Sequence, residues 1–219
     1  MISFRRIICA LGLLLTGLGA QAQNKGIPNE VYYLMPNFEH GYIYFRGQGP
    51  AQGQLNICAV DNTLRFLDKD GKELVPSNAD NIVKVQFDTV MFLNHQGVYY
   101  RLSMVGPDVG LAVRRDVKIL KDVKQGAYGT TSQTSSIKSL STIYANGAVY
   151  ELEEGKSYPY EVSETLYLFK GDTVFPLTKK NLRKLFPGKK EEIDALFSGG
   201  RSVPNTIPEA RALLLSLAE

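Results

Sequence analysis

Two histidines, one thiol outside the N-terminal apolar stretch and twelve tyrosines are the side chains of this 219-residue chain with the most chemistry to offer. A pairing of Cys58 with His95 would make a thiolate nucleophile. Cys58, however, lies in Asn56-Ile57-Cys58-Ala59-Val60, which reads as a buried strand where a thiol is inert. The chain has no His-Glu-x-x-His, Gly-x-Ser-x-Gly, P-loop or dinucleotide fingerprint. No catalytic residue, metal ligand or cofactor is therefore assigned. Asp68-Lys69-Asp70-Gly71 shares the opening residues of a calcium loop but lacks its further oxygen ligands, and is expected to be a hairpin turn. Scattered Asp and Glu leave one enzymatic alternative open, a glycan or cell-wall hydrolase whose paired carboxylates meet only in space.

Binding chemistry is better represented. Tyrosine offers an apolar ring with a polar tip, suited to stacking on sugars or peptides, and Tyr42 and Tyr44 fall two apart, on one face of a strand. Tyr128 sits between Gly126 and Gly129 in a stretch, residues 125–141, that reads as a long loop: eight of the twelve residues from Thr130 to Ser141 are Ser or Thr. The plainer reading of the tyrosines is that they finish the rim of a β core. Lys179, Lys180, Arg183 and Lys184 recur at helical spacing opposite Leu182, Leu185 and Phe186. That stripe would suit an acidic glycan, lipid head groups or a protein partner, or is a solvated face balanced by Glu191, Glu192 and Asp194.

These residues must be positioned by what remains after a leader is set aside. Arg5 and Arg6, an apolar run of about 13 residues and Ala20-Gln21-Ala22 have the layout of a signal peptide over residues 1–22. The run is shorter than the roughly 20 residues that a membrane span needs. Cleavage would leave 23 basic against 22 acidic residues and Cys58 as the sole thiol, so no intramolecular disulfide and no charge bias toward nucleic acid are expected. No transmembrane segment is expected in the mature chain.

Short β-branched and aromatic runs, punctuated by Gly, Asn, Asp and Pro, then predict a β-rich domain over residues 23–177. Val31–Met35, Tyr42–Phe45, Leu55–Val60, Thr63–Leu67, Leu111–Val113 and Val117–Lys121 are among the expected strands, and Asn146-Gly147 and Gly171-Asp172 mark hairpins. From residue 178 the apolar period changes to a helical one. A Thr178 cap, Lys189–Phe197 and a Thr206-Ile207-Pro208-Glu209 start signal predict three short helices over residues 178–219, packed on the β domain. The expected fold is mainly β (α+β), an antiparallel β-sandwich or barrel-like body with short C-terminal helices. An offset of 84 residues aligns Gly71-Lys72 with Gly155-Lys156 and Asp88-Thr89-Val90 with Asp172-Thr173-Val174, which adds the option of two related β units that pair or stack.

The segment from Lys180 to Asp194, following a strand-rich region with Leu67-Asp68-Lys69-Asp70-Gly71-Lys72, resembles exported β-rich proteins of Bacteroidota, a group with no assigned function. The resemblance implies export to the periplasm or cell surface. It also implies that Asp88-Thr89-Val90 and Asp172-Thr173-Val174 look like O-glycosylation acceptors, with Thr89 and Thr173 as attachment points. The functional expectation is an exported cell-envelope binding or accessory protein, with a glycan or an envelope protein as its ligand. The alternatives are the hydrolase above and a structural partner in an outer-membrane complex.

Overall fold

Val, Ile, Tyr and Phe alternate with polar residues through most of the chain, a pattern that gives strands with two distinct faces. The computed structural model describes residues 27–120 and 158–218. It opens with a helical turn α1 (Asn29–Tyr32), followed by β1 (Glu39–Phe45), β2 (Ala51–Cys58), β3 (Thr63–Leu67) and β4 (Glu73–Leu74). A single 3-10 turn at Ala79–Asn81 leads into β5 (Ile82–Gln86), β6 (Met91–His95), β7 (Val98–Met104) and β8 (Val109–Ile119). β9 (Tyr160–Lys170) and β10 (Thr173–Pro176) precede the helices α2 (Lys179–Leu185), α3 (Lys190–Leu196) and α4 (Ile207–Ala218).

All ten strands form one antiparallel sheet in the order β10-β9-β8-β7-β6-β5-β1-β2-β3-β4. This corrects the expected sandwich or barrel: the ladder is linear and open, with β10 and β4 at its edges. It also excludes two stacked units, since all ten strands lie in a single ladder; the 84-residue offset maps the β5–β6 turn onto the β9–β10 turn, and its Gly155-Lys156 match lies outside the described residues. Alternation reports that a face is buried but not what buries it. Here helices cover part of that face where a second sheet was expected. Leu111 and Val113 of β8 and Leu168 of β9 share a core with Leu182, Leu185, Ile193, Phe197, Leu214 and Leu217 of α2–α4 and their flanks.

Register fixes the two faces. Ile43, Val85, Phe92, Arg101 and Val113 are consecutive cross-strand partners, so the helix-covered core and a second cluster of Leu55, Ile57, Leu64, Val85, Phe87 and Phe92 lie on the same side. Tyr44, Lys84, Leu93 and Tyr100 form the next row and face the other way. The second face carries a smaller cluster of Tyr100, Ala112 and Phe169. Two tight approaches shape it. A Cβ on Gly110 would lie 2.2 Å from the Ser103 carbonyl oxygen and 2.8 Å from the Phe169 ring, so only glycine lets β7, β8 and β9 close at that point. Beyond it, His95 Nδ1 at the β6–β7 turn is 3.2 Å from the Asp172 carbonyl oxygen in the β9–β10 turn.

Two strand expectations change. Val31–Met35 is not a strand: its first residues lie in α1, and Tyr33 then forms an isolated antiparallel bridge with Cys58. Leu111–Val113 and Val117–Lys121 merge into the single eleven-residue β8, because Arg114 and Asp116, two apart on one face, pair with each other (Arg114 Nε donates to Asp116 Oδ1 at 2.8 Å) and the strand runs on through the charges. Three helices follow β10 as expected, and the cap anticipated at Thr178 is formed. Thr178 accepts the Asn181 N–H at the start of α2, and α4 begins directly after Thr206, whose carbonyl accepts the Ala210 N–H. Among the described residues no helix is long and apolar enough to cross a membrane.

Candidate binding faces

β1 lies between β2 and β5, and its outward residues are His40, Tyr42 and Tyr44. Tyr42 and Tyr44 thus share a face, as their spacing predicted. Tyr42 is 43% exposed and meets the His40 ring edge-on at 5.5 Å between centroids. Tyr44 is half-buried; Lys84 Nζ stands 4.4 Å above its ring, and its hydroxyl donates to Gln86 Oε1 at 3.3 Å. Cross-strand Gln54, Gln52 and Gln86 flank the histidine and Tyr42. The result is a solvent-facing patch of aromatic edges and primary amides with one cation already engaged by a ring. Tyr128 and the Asn146-Gly147 hairpin lie outside the described residues.

The basic stripe on α2 is largely occupied. Lys179 Nζ is 2.9 Å from Asp194 Oδ1 of α3, Arg183 binds the same oxygen, and Lys184 Nζ lies 5.1 Å from the centre of the Phe175 ring on β10. Hydrogen bonds from Lys179 and then Arg183 hold the Asp194 carboxyl below its ordinary value. Lys180 is exposed. The stripe therefore joins α2 to α3 and β10 before it could face a partner.

Thr89, in the turn between β5 and β6, and Thr173, at the first position of β10, are both exposed. The Asp68 turn is the expected hairpin. Asp68 Oδ1 accepts the N–H groups of Asp70 and Lys72 at 2.9 and 2.8 Å, and Gly71 takes φ 76°. Among the described residues no group of three or more His, Cys, Asp or Glu is placed to hold a metal ion.

A buried ion-pair cluster was not read from the sequence. Arg65 on β3, 8% exposed, binds Asp61 from the β2–β3 turn, and its Nε is 3.6 Å from Glu73 Oε1 on β4. Tyr33 donates to Glu73 Oε2 at 2.8 Å. Burial opposes the Arg65 charge, but Asp61 and its neighbours outweigh that and hold the guanidinium above its usual range. Burial pushes the Cys58 thiol up to about 12, with the Asp61 charge acting in the same direction. Tyr32 and Tyr33 are raised as well, first by burial. Cys58 thus keeps Tyr32 and Asp61 as its polar neighbours, whereas His95 lies against the Asp172 backbone. One signal was available: once Asp68-Gly71 is read as a hairpin, Glu73 folds back beside β3, next to the lone cation between Leu64 and Phe66.

Comparison with protein-family models, curated proteins and solved structures finds no match to this chain.

Proposed function

We propose that the protein is an exported binding or accessory protein of the cell envelope, and that the His40, Tyr42 and Tyr44 face of the sheet is its binding surface. The observation that carries the reading is the exposed Tyr42 ring, backed by His40 and bordered by Gln52, Gln54 and Gln86. Aromatic rings ringed by amides suit hydroxyl-rich or peptide ligands, which need both an apolar platform and hydrogen-bond partners. The test is retention of purified protein on insoluble envelope material. Tyr42→Ala combined with Tyr44→Ala should lower the bound fraction with the melting temperature held, and unchanged retention would reject the face. Sequencing of the mature N-terminus should begin after Ala22; an intact leader on the exported form would reject export by cleavage.

A modification reading has its own support. Thr89, on the β5–β6 turn, and Thr173, at the first position of β10 beside the β9–β10 turn, are both exposed, where a transferase could reach them. Intact mass of protein isolated from its own host should show added glycan that disappears with Thr89→Ala and Thr173→Ala. The hydrolase alternative draws no comparable support, because the enclosed carboxylates Asp61 and Glu73 are engaged by Arg65 and Tyr33.

A further inference from the structure

β8 and β9 run on together beyond the reach of their neighbours. β7 pairs with β8 at Gly110–Val113 and β10 with β9 at Tyr167–Lys170, whereas β8 and β9 stay in register out to Ile119 and Tyr160. Among the described residues nothing pairs with β9 over Tyr160–Thr165 on the side away from β8, and every residue of that stretch is exposed. An open edge is ordinarily blunted by proline, lysine, a bulge or a short length. The outer strands follow that rule: β4 has two residues, and β10 has four and ends on Pro176. Tyr160-Glu161-Val162-Ser163-Glu164-Thr165 has none of these devices, and its two glutamates lie opposite Lys118 and Arg115 of β8.

The hairpin sets which groups this edge presents. Lys170 and Thr173 flank a two-residue turn, where the flanking pair exchanges both backbone bonds, so every second residue back from Lys170 turns its N–H and carbonyl away from β8. Tyr160, Val162 and Glu164 are such residues. Val162 stands opposite Val117 and Tyr160 opposite Ile119, and each pair shares a face. Val117 and Ile119 are buried in a cluster with Ile27, Val31 and Tyr32, but Val162 and Tyr160 are 42% and 40% exposed. An apolar row thus leaves the core, crosses one strand and stops bare at an open edge.

We propose that this edge is an interface for a second copy of the chain, β9 pairing antiparallel with β9 across a two-fold axis at Val162. In that register Val162 meets the partner's Val162, Tyr160 the partner's Glu164 and Glu161 the partner's Ser163, so no like charges are directly opposed. The outward backbone groups exchange about six hydrogen bonds. The Val117–Val162 row runs on into that of the other copy, which covers the side chains left bare. The cations of this ribbon, Arg114, Arg115 and Lys118, are matched by Asp116, Glu161 and Glu164, so two copies approach without net repulsion. The contact is isologous and closes at two.

The test is sedimentation of the purified full chain from about 1 to about 200 µM, with hydrogen exchange of the peptide spanning residues 160–166 over the same range. A dimer should form with a micromolar dissociation constant, as suits a short edge contact. Exchange in that peptide should slow as it forms. Val162→Lys sets two ammonium groups against each other at the axis, and should raise the constant by at least about tenfold with far-UV circular dichroism unchanged. Ser163→Lys, which faces the partner's Glu161, should leave the dimer as tight or tighter. If Val162→Lys does not fold, Glu164→Pro removes an edge N–H that β8 does not use and should weaken the dimer likewise. A monomer throughout the range overturns the proposal. So does a dimer that the edge variant leaves intact, one weakened by Ser163→Lys, or one whose formation does not slow exchange at residues 160–166.

Discussion

Asn56 Oδ1 accepts the backbone N–H of Met35 at 3.1 Å, and its Nδ2 donates to the carbonyl of that same residue at 3.0 Å. A side chain of β2 thereby supplies the rung that a neighbouring strand would, just where β1 has not yet begun. The same Nδ2 also donates to the Asn37 carbonyl at 2.9 Å, and the side chain is wholly buried. Asn56→Ala leaves two N–H groups, of Met35 and Ile57, and two carbonyls enclosed without this partner and should cost about 3 kcal/mol. Asn56→Asp keeps the acceptor but sets a carboxylate against two carbonyls, and should cost at least as much. Urea midpoints at unchanged m-value check both.

Gly110 permits the close approach of β7 and β8. Gly110→Ala forces a methyl group into the Ser103 carbonyl and the Phe169 ring, and the expected cost is about 3 kcal/mol. Gly53→Ala is the control. Its Cβ would meet nothing closer than Leu55 at 3.6 Å, and the midpoint should move by about 0.5 kcal/mol or less.

Alkali should destabilise the fold through Cys58. Its folded-state pKa is raised from 9.0 to about 12, so the native thiol stays protonated where the unfolded one ionises. The stability tied to it is complete below the unfolded value and is lost as pH rises from there through the folded value. Tyr32, Tyr33 and Tyr99, raised chiefly by burial, steepen the loss above their ordinary value. Cys58→Ala should give a shallower dependence of unfolding free energy on pH between 9 and about 12, whatever its effect on the neutral midpoint. An unchanged slope would place the proton release elsewhere.

Asp194 works in the opposite direction. Lys179 and Arg183 lower its pKa, so the contribution is present above the ordinary aspartate value and fades as pH falls through the lower folded one. Because the group is open to solvent, Asp194→Ala should lower the melting temperature only slightly, less so at high salt, and should remove the acid dependence in that window. Differential scanning calorimetry at two ionic strengths reads both.

Local chemistry was legible in the sequence where it acts over a few residues. Thr178 caps α2, Thr206 precedes α4, and Asp68 folds its own backbone into the β3–β4 turn, each through contacts within about one turn of chain. The shared face of Tyr42 and Tyr44 followed from the two-residue period alone. What spans the sheet was not legible. Alternation in β8 and β9 is the same whether helices or a second sheet cover it, so the open ladder could not be told from a sandwich. Arg114 and Asp116 looked like a break in a strand, because their mutual pairing is a matter of side-chain reach. The Arg65 cluster draws on β3, β4, a turn and the N-terminal segment, and needs the register of all four.

The place of β1 has a consequence for assembly of the chain. β2 to β4 are laid down beside it in succession, but its other edge receives β5 only after a return past Ala79–Asn81. Until then one flank of this interior strand stands bare, carrying Ile43 toward a core that is still half built. The interval between the birth of β1 and the arrival of β5 is thus when a nascent or refolding molecule is most open to a stray edge from a neighbour, and a chaperone that shields this flank would have the greatest effect on yield.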